Sequence, residues 1–587
     1  KIKKKFKNGI NFKIKPNKIN NFMNYILGLN AIGFNTSASL LKDGKLIGAI
    51  EEERLTRNKR TRSFPNLSIK YLLKKNNLKF KDIDAVGISW NPTINLEKFD
   101  KANSTNHSYI PNMLHTVPSN LMNFSNRKTF KYFKQELFVE RSKKIPIYYI
   151  NHHYCHAANF FISPFKNSSI LTVDAFGEKQ SVGFFRGRNN NIDSIWSQEF
   201  PHSLGAFYST FTEICGFKPQ NDEWKLMGAA AYGNKNIYYE KIKNLVTLIP
   251  NSGFELNLRF FNHYMFHRPR YYNKNLLSYL KIKQNTDEVL NKRYYDLAAA
   301  SQLVFEDIYF HLINSLYKKS KNKNLVISGG SALNSLANGK VLKKTKFKNL
   351  FVPPVPDDSG AGLGAANFCF NVINKKEKRY ILKNNYLGPE FSNNEIKKIL
   401  NKYKIKYQYI ANVSKEAAKS IANSKIIGWF QGKIEFGDRA LGNRSILADP
   451  RNKNMKSRVN NSIKYREQFR PFAPAILYEH TSDFFENSQS SFFMERTLKI
   501  KKIKQKLIPA VTHLDGTGRL QTVNKVNNQK FYDLIMEFYK LTKIPVVLNT
   551  SFNYKGDPIV CSPDDAIKTF YLSGLDELYL GNYRVIK

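Results

Sequence analysis

Short apolar runs typical of buried strands recur along this chain, and each is followed by a loop rich in histidine, aspartate or glycine. The run Ile145–Ile150 precedes the letters NHHYCH, Ser169–Val173 precedes DAFGE, and Asn324–Ile327 precedes SGG. Apolar residues at helical spacing over residues 296–319 predict a long amphipathic helix before the last of these strands. Strands that alternate with helices in this way predict an α/β fold.

The chain is long enough for more than one such unit. It has 587 residues, of which 42% are hydrophobic, and a single hydrophobic core rarely grows beyond about 250–300 residues. The segment 371–394 is polar and rich in Lys and Asn, and strands are predicted again after it. We therefore predict a basic arm over residues 1–23, a first unit over 24–375, a linker over 376–394 and a second α/β unit over 395–587.

Local patterns predict the remaining strands. Two β-rich runs, Ser37–Leu41 and Leu46–Ile50, flank an Asp-Gly pair, which is a strong signal for a β-hairpin. No internal repeat is visible at the level of sequence. Further strands are predicted at Leu350–Pro353, Ile426–Phe430, Val546–Leu548 and Glu577–Leu580.

The net charge of +47, from 93 Lys and Arg against 46 Asp and Glu, leaves several kinds of partner open. Such an excess fits nucleic acid, an anionic membrane surface or acidic substrates. However, the lysines are spread along the chain and occur with abundant Asn, Ile, Tyr and Phe, which favours codon bias as the cause. Nucleic acid is therefore not an expected partner, although a basic field would still attract a phosphorylated substrate.

Hydropathy and cysteine spacing narrow the protein class. No apolar run approaches the roughly 18–20 residues that a spanning helix needs, so no membrane span is predicted. The four cysteines are widely spaced and form no CxxC pair. This pattern predicts neither a disulfide framework nor a thiolate zinc site, and it favours a reducing compartment such as the cytoplasm.

Two histidines four residues apart indicate a metal site. His152 and His156 would project from one face of a helix, a spacing that suits two ligands of a divalent metal. Oxygen ligands are available at Asp174 and at Asp357 or Asp358, each of which follows a strand and precedes a glycine-containing turn. Such a set would suit iron, manganese or zinc beside nucleotide phosphates. The alternative is a pair of helix histidines satisfied by hydrogen bonds.

Glycine-rich letters follow two of the strands. In SGGSALN (Ser328–Asn334), Gly329 and Gly330 allow close backbone approach, and the helix that follows offers free amides to a ribose or phosphate. Alternatively, the same sequence is typical of a tight strand-to-helix turn that binds no ligand. The stretch GAGLGAA (Gly360–Ala366) superficially resembles a dinucleotide fingerprint, but no acidic residue is clearly placed about 20 residues further on. We therefore exclude Rossmann-type binding.

Cationic and amide side chains lie among glycine, phenylalanine, proline and alanine in the second unit. Arginine binds phosphate oxygens in pairs, lysine acts as a point charge, and amide and hydroxyl groups recognise a small polar group. The set suits a small dianion that carries an amide, with a nucleotide beside it, better than it suits a solvated surface. Because no histidine lies near Ser551 or Cys561 in the sequence, covalent catalysis is not expected. The cationic and amide residues are Arg439, Arg444, Lys464, Arg466, Arg470, Arg519, Asn549, Thr550 and Ser551.

In these motifs the sequence resembles the NodU/CmcH-type O-carbamoyltransferases. The matching stretches include DGKLIGAIEEERLTR, NHHYCHAANFF, SGGSALNSLANG, EFGDRALGNRSILADPR, FRPFAPAIL and IPVVLNTSFNYKGDPIVCSP, in the same order over nearly the whole chain from Asn24. The resemblance implies an N-terminal actin-like ATPase domain (ASKHA, a duplicated RNase H-like fold) and a C-terminal YrdC-like α/β domain. It also implies ATP with Mg²⁺, carbamoyl phosphate, and a divalent metal for which iron is favoured over manganese or zinc.

The resemblance further implies a reaction and roles for single residues. The C-terminal domain would make carbamoyl adenylate from carbamoyl phosphate and ATP, and a hydroxyl of a small molecule or glycan would attack the adenylate in the N-terminal domain. Arg439 and Lys464 would be catalytic in the C-terminal domain. The metal ligands would be His152, His156, Asp174 and Asp358, and the residues that bind nucleotide or carbamoyl phosphate would be Gly329, Gly330, Asn334, Arg519, Asn549 and Ser551.

The loop around residues 34 and 35, which we call the first loop, departs from the family pattern. Many relatives carry a His-Asp pair there, and its histidine can help to deprotonate the acceptor hydroxyl, whereas this chain has Phe34 and Asn35. We hypothesise that a different hydroxyl is used, or that another base such as Glu53 takes over this role.

Three other functions fit part of the sequence. A tRNA-modifying enzyme of the threonylcarbamoyl type fits the net charge, but the second unit with its FRPFAP stretch favours a small acceptor. A zinc peptidase fits the paired histidines, but His153 stands where the HExxH motif has glutamate. A nucleotide-binding module without catalysis stays open. Neither the acceptor nor the oligomeric state is predicted.

Overall fold

The computed structural model describes residues 23–33, 35–91, 131–140, 143–265, 269–287 and 289–587. Phe34 and the predicted basic arm up to residue 22 lie outside these described residues. Three large sheets with helices packed against them confirm the predicted α/β class. In the part of the chain that the structure describes, no helix is both long and apolar enough to cross a membrane.

The first large sheet has six strands, β1 (Tyr25–Asn30), β2 (Ser37–Lys42), β3 (Lys45–Glu51), β4 (Ala85–Ile88), β5 (Tyr132–Phe138) and β6 (Lys144–Ile150). Their order is β3-β2-β1-β4-β6-β5. Strands β1, β4 and β6 run parallel, whereas β2 is antiparallel to both β1 and β3. The predicted hairpin is confirmed: its Asp43 and Gly44 have φ of 49° and 78°, the positive values that a tight two-residue turn requires.

The second large sheet repeats this topology. The strands that follow are β7 (Asn167–Val173), β8 (Gln180–Arg188), β9 (Asn191–Glu199), the separate pair β10 (Val246–Leu248) and β11 (Phe254–Leu256), and then β12 (Asn324–Ser328) and β13 (Asn349–Phe351). The sheet order is β13-β12-β7-β8-β9, with β7, β12 and β13 parallel and β8 antiparallel to its two neighbours. Strands β7, β8, β9, β12 and β13 therefore occupy the places of β1, β2, β3, β4 and β6.

The helices of this first unit include the predicted long amphipathic helix. In the described residues they are α1 (Glu52–Thr56), α2 (Asn66–Lys75), α3 (His152–Ala158), α4 (Leu204–Ile214), α5 (Glu223–Ala229), α6 (Tyr239–Lys243), α7 (Lys274–Leu280), α8 (Lys292–Ser320), α9 (Ser335–Lys344) and α10 (Asp358–Asn367).

The predicted glycine-containing turn after Asp358 is wrong, because these residues form helix α10. Its glycines allow the helix to lie close to other backbone segments. A Cβ added at Gly360 would lie 1.9 Å from the carbonyl oxygen of Val355, and one at Gly364 would lie 1.9 Å from that of Cys155. Close helix packing, rather than a turn, therefore explains the glycine row.

The second unit is built on a nine-stranded sheet with the order β14-β22-β21-β15-β16-β20-β17-β19-β18. Its large apolar core includes the fully buried Trp429 and Tyr579. The strands are β14 (Gln408–Tyr409), β15 (Ile427–Phe430), β16 (Arg444–Ala448), β17 (Ala473–Leu477), β18 (Arg496–Lys499), β19 (Thr517–Val523), β20 (Val546–Ser551), β21 (Glu577–Leu580) and β22 (Tyr583–Ile586). The helices are α11 (Asn393–Lys402), α12 (Val413–Ala422), α13 (Met455–Val459), α14 (Thr481–Phe484), α15 (Lys502–Gln505), α16 (Gln529–Thr542) and α17 (Pro563–Tyr571).

The two units are in direct contact. Ser335 at the start of α9 hydrogen-bonds Thr497 of β18 at 2.9 Å. The segment predicted as a linker, 376–394, contacts both units: its Arg379 donates hydrogen bonds to carbonyl oxygens of residues 160–165, and its Asn385 donates to the carbonyl oxygen of Phe436 at 2.7 Å. These contacts fix the loop that begins at Phe436 against the first unit.

Candidate functional site

The four side chains predicted to bind a metal come together in the first unit. His152 and His156 lie on α3, Asp174 directly follows β7, and Asp358 begins α10. One ligand atom from each lies within 4.8 Å of the others. The two Nε2 atoms are 3.0 Å apart, and Nε2 of His156 lies 2.9 Å from Oδ2 of Asp174. Two imidazoles and two carboxylates thus converge on one point.

Neighbouring groups orient these side chains. Nδ1 of His152 lies 3.1 Å from the carbonyl oxygen of Ser89, which leaves Nε2 to face the cluster. The backbone N–H of His152 donates to Glu178 at 3.0 Å. By contrast, His153 is satisfied elsewhere, because its two ring nitrogens lie 2.7 Å from the hydroxyl of Thr172 and 3.0 Å from the carbonyl oxygen of Gln180. His153 is therefore structural.

The charges of the cluster fit a cation. Burial alone would lower the pKa of His152, but hydrogen bonds and charge from Asp174 and Asp358 outweigh it and raise that pKa well above its usual range. Burial would raise the pKa of Asp174, and the two imidazoles instead hold it well below its usual range. Oδ2 of Asp174 lies 2.9 Å from Nε2 of His156 and 3.5 Å from Nε2 of His152. These donors fit a divalent metal with nitrogen and oxygen ligands.

The cluster borders a cavity of about 190 Å³ in the first unit, which we call the first cavity. Gly330 and Asn334, two of the residues predicted to bind nucleotide, line it. Gly329 has a different place: its φ is +97°, and an added Cβ would lie 2.3 Å from the carbonyl oxygen of Val173, so the turn requires glycine. The amide of Asn334 pairs with Gln302 and caps α9.

A second cavity, of about 520 Å³, is lined by residues of both units and is rich in cations. The predicted residues Arg439, Lys464, Arg519, Asn549 and Ser551 all line it, and Arg466 and Arg470 line it as well. The structure thus brings together side chains that are separated by more than 100 positions in the sequence.

These cations lack enough carboxylates to balance them. Burial lowers the pKa of Lys464, Arg466 and Arg519 well below their usual ranges, and the charges of neighbouring cations lower it further. Nε of Arg519 and Nη2 of Arg466 are buried without hydrogen-bond partners. Because arginine stays protonated in proteins, such a cluster favours a bound anion.

The amide and hydroxyl groups beside the cations are held by the protein. Asn549 donates hydrogen bonds to Ala440 and Gln521, which leaves its buried Oδ1 without a partner. Nζ of Lys464 lies 2.7 Å from Oδ1 of Asn553 and 2.5 Å from the carbonyl oxygen of Ser551. The lysine is thus fixed at the wall of the cavity.

One predicted cation does not line the cavity. The Arg444 guanidinium lies 3.5 Å from the centre of the Phe430 ring and donates hydrogen bonds to backbone carbonyl oxygens, including those of Gln431 and Gly432. Arg444 is fully buried and holds together the turn between β15 and β16. It is therefore structural.

Four residues line both cavities: Arg60, Trp224, Asp438 and Arg439. Of these, the sequence analysis selected only Arg439. Arg60 and Trp224 belong to the first unit, and Asp438 and Arg439 belong to the second. Only the letters GDRAL, in a motif already singled out, pointed to Asp438.

The first loop and its proposed substitute base lie in different places. Asn35 lines the first cavity, and its Nδ2 donates to the hydroxyl of Ser359 at 2.7 Å. Glu53 lines the second cavity instead. Its two carboxylate oxygens accept hydrogen bonds from Arg54 at 2.6 Å and from the backbone N–H of Arg60 at 2.7 Å. Glu53 is therefore engaged in holding the loop that carries Arg60.

Two family models match most of this chain. The family domain described as Carbamoyltransferase N-terminus matches residues 25–367, and the one described as Carbamoyltransferase C-terminus matches residues 418–587. Among solved structures, component A of (R)-2-hydroxyglutaryl-CoA dehydratase from Acidaminococcus fermentans matches 60% of this chain and 99% of that chain, at 15% identity and a TM-score of 0.32.

Curated relatives match almost end to end. An uncharacterized protein of Synechocystis sp. is 35% identical over 96% of this chain and 97% of its own length. Nodulation protein NolNO of Sinorhizobium fredii is 34% identical over 95% of this chain and 80% of its own length. An uncharacterized protein of Methanocaldococcus jannaschii is 33% identical over 96% of this chain and 99% of its own length. From these matches we conclude that the chain belongs to the carbamoyltransferase family.

Proposed function

We propose that this carbamoyltransferase makes carbamoyl adenylate from carbamoyl phosphate and ATP in the second cavity and transfers the carbamoyl group to a hydroxyl in the first. The observation that carries the proposal is the shared wall between the two cavities, formed by Arg60, Trp224, Asp438 and Arg439. Because the same four residues line both cavities, an intermediate made in one would have a short path to the other, and a short path would limit its hydrolysis.

The second cavity suits the adenylate-forming step. Arg439, Lys464 and Arg519 line this cavity. Arg439 and Lys464 would neutralise the phosphate of carbamoyl phosphate, and Arg519 would bind phosphate oxygens of ATP. The free Oδ1 of Asn549 can accept a hydrogen bond from the carbamoyl NH₂ group. ATP would enter with Mg²⁺, as nucleotides generally do. Pyrophosphate would leave as the adenylate forms.

The first cavity suits the transfer step. His152, His156, Asp174 and Asp358 would hold a divalent metal, with iron favoured and manganese or zinc as alternatives. Such a metal would supply positive charge for the phosphate of the leaving AMP. Gly330 and Asn334 would lie beside the nucleotide. The chain's own contribution is to orient the adenylate and to accept the proton of the attacking hydroxyl.

The duplicated sheet topology supports an actin-like ATPase fold for the first unit, with residues 24–375 as its extent. We propose a YrdC-like fold for residues 395–587, joined through the segment 376–394. Residues that follow strands of both sheets, such as Trp90 and Asp174, line the first cavity, where an actin-like domain would bind nucleotide. The nine-stranded sheet carries the second cavity.

The acceptor is proposed to be a hydroxyl of a sugar or a secondary metabolite. To test this, metabolites and glycans from cells with and without the protein are compared by mass spectrometry. We expect a compound heavier by one carbamoyl group only where the active protein is present. A Lys464→Met variant serves as the inactive control. If no such compound differs between these cells, the proposed acceptor class is wrong.

A further inference from the structure

We propose that Glu223 is the general base that accepts the proton of the acceptor hydroxyl. This inference rests on the proposed function and supplies the base that the first loop lacks. Glu223 is the first residue of α5 and lines the first cavity together with Asp174 and Asp358.

Elimination among the carboxylates favours Glu223. Among the described residues, five carboxylates line the first cavity. Asp174 and Asp358 belong to the metal cluster. Burial would raise the pKa of Asp438, but the guanidinium groups of Arg60 and Arg439 outweigh it and lower that pKa. Burial and the charges of Asp438 and Asp358 raise the pKa of Asp357 well above its usual range, and Asp357 adjoins the metal ligand Asp358 and interacts with Arg439. Glu223 alone belongs neither to the metal cluster nor to this group beside Arg439.

The carboxylate of Glu223 is held in a fixed position. Its Oε1 accepts hydrogen bonds from the Ser209 hydroxyl and from the backbone N–H of Gln220, both at 2.5 Å. The structure describes no hydrogen bond to Oε2. A carboxylate with one oxygen anchored and the other available is suited to accept a proton from a bound hydroxyl.

The surroundings of Glu223 raise the pKa of its carboxyl group. Burial raises its pKa above the usual range, against a smaller lowering by the hydrogen bond from Ser209 and by the charge of Arg60. The ionisable groups around the same cavity are Arg60 and Tyr208, then Asp357 and Asp358 at the start of α10, Asp174 after β7, and Asp438 and Arg439 from the second unit. A carboxylate with a raised pKa is a stronger base near neutral pH.

The step balances in atoms and charge. The acceptor oxygen forms a bond to the carbamoyl carbon while its proton moves to Oε2 of Glu223. The bond between that carbon and the phosphate oxygen breaks, and AMP leaves with the electron pair. Glu223 then releases the proton to solvent.

A Glu223→Gln variant tests this directly, because the amide oxygen can still accept both hydrogen bonds. With ATP and carbamoyl phosphate present, AMP release is measured with water and glycerol as hydroxyl probes and with hydroxylamine, which needs no base. We expect the rate with water and glycerol to fall at least about 100-fold and the rate with hydroxylamine to stay within a few-fold of the wild type. A Glu240→Gln variant, altered at an exposed carboxylate on α6, is the control.

The pH profile is a second readout. The wild-type rate with glycerol should rise with pH as Glu223 loses its proton, and the Glu223→Gln profile should lack this rise. Ser209→Ala removes the hydrogen bond that lowers the pKa of Glu223, so its profile should shift to higher pH. An equal loss with hydroxylamine, or no loss with glycerol, overturns the proposal. Failure of pyrophosphate exchange in the wild type would instead contradict the proposed function itself.

Discussion

Single residues of the second cavity are placed for binding at the expense of stability. Arg519 lies with Arg439 and Arg470 around it, and its Nε has no hydrogen-bond partner. Charges of one sign buried together oppose folding until an anion neutralises them. The same feature that makes the empty cavity costly therefore prepares it for a phosphorylated substrate.

An Arg519→Met variant should separate binding from stability. Removing the cation relieves repulsion, so the melting temperature should stay equal or rise, whereas adenylate formation should fall by about 100-fold or more. Thermal unfolding and pyrophosphate exchange measure the two effects. Arg451→Met, which removes a partly exposed arginine paired with Asp449, is the control. A lower melting temperature together with unchanged exchange would contradict this assignment.

The metal cluster gives a second prediction at this scale. A His156→Ala variant loses one of the two nitrogen ligands and should bind metal at least about tenfold more weakly. Metal content is measured after dialysis against Fe²⁺, Mn²⁺ or Zn²⁺. His480→Ala, which changes a histidine of the second unit, should keep the wild-type content. Equal metal content in the His156 and His480 variants would show that the cluster does not bind the metal.

Local sequence patterns predicted some residues of the site and not others. The i, i+4 spacing of His152 and His156 and the strand-end position of Asp174 are visible in the sequence because they depend on local structure. Arg60 and Trp224 were not predicted, because they reach the site only through the contact between the two units. Nothing in the sequence distinguishes Arg60 from the many other cations of this chain.

At the scale of elements, the start of α1 clamps the loop that carries Arg439. Oε1 of Glu51 accepts the backbone N–H of Gly437 at 2.6 Å, and Arg54 donates to the carbonyl oxygen of the same glycine at 2.8 Å. Gly437 has a φ of +120° and lies two residues before Arg439. A helix of the first unit thus positions a residue of the second cavity.

This clamp predicts a dependence of stability on pH. Burial raises the pKa of Glu51 to about 7 from an ordinary 4.5, although Arg54 opposes the shift. Because the folded protein holds this proton more tightly, the stabilisation is full below pH 4.5 and is lost as pH rises through about 7.

A Glu51→Gln variant should lack this loss. Between these pH values its free energy of unfolding should decline less than that of the wild type, by roughly 3 kcal/mol. Denaturant unfolding at a series of pH values measures the difference, and Glu390→Gln, at an exposed carboxylate, should keep the wild-type slope. If Glu51→Gln also keeps that slope, Glu51 is not the titrating group.

For the whole molecule, the class of fold was predictable from the residue pattern, whereas the duplication within the first unit was expected only from the family resemblance. Alternating strands and helices indicated α/β layers, and the boundary between the units stays a prediction from composition. The repeated topology of the first two sheets leaves no trace in the sequence, because strand order depends on which backbones pair and not on shared side chains. The adjacency of the two cavities depends in the same way on how the units pack.

The central claim is that the cationic second cavity activates carbamoyl phosphate with ATP. Exchange of radiolabelled pyrophosphate into ATP by the purified full-length protein, in the presence of Mg²⁺, tests it most directly. We expect label to enter ATP only when carbamoyl phosphate is added, and to do so in the His156→Ala variant as well, because that substitution lies in the other cavity. Absence of exchange, or exchange that is independent of carbamoyl phosphate, would contradict the account.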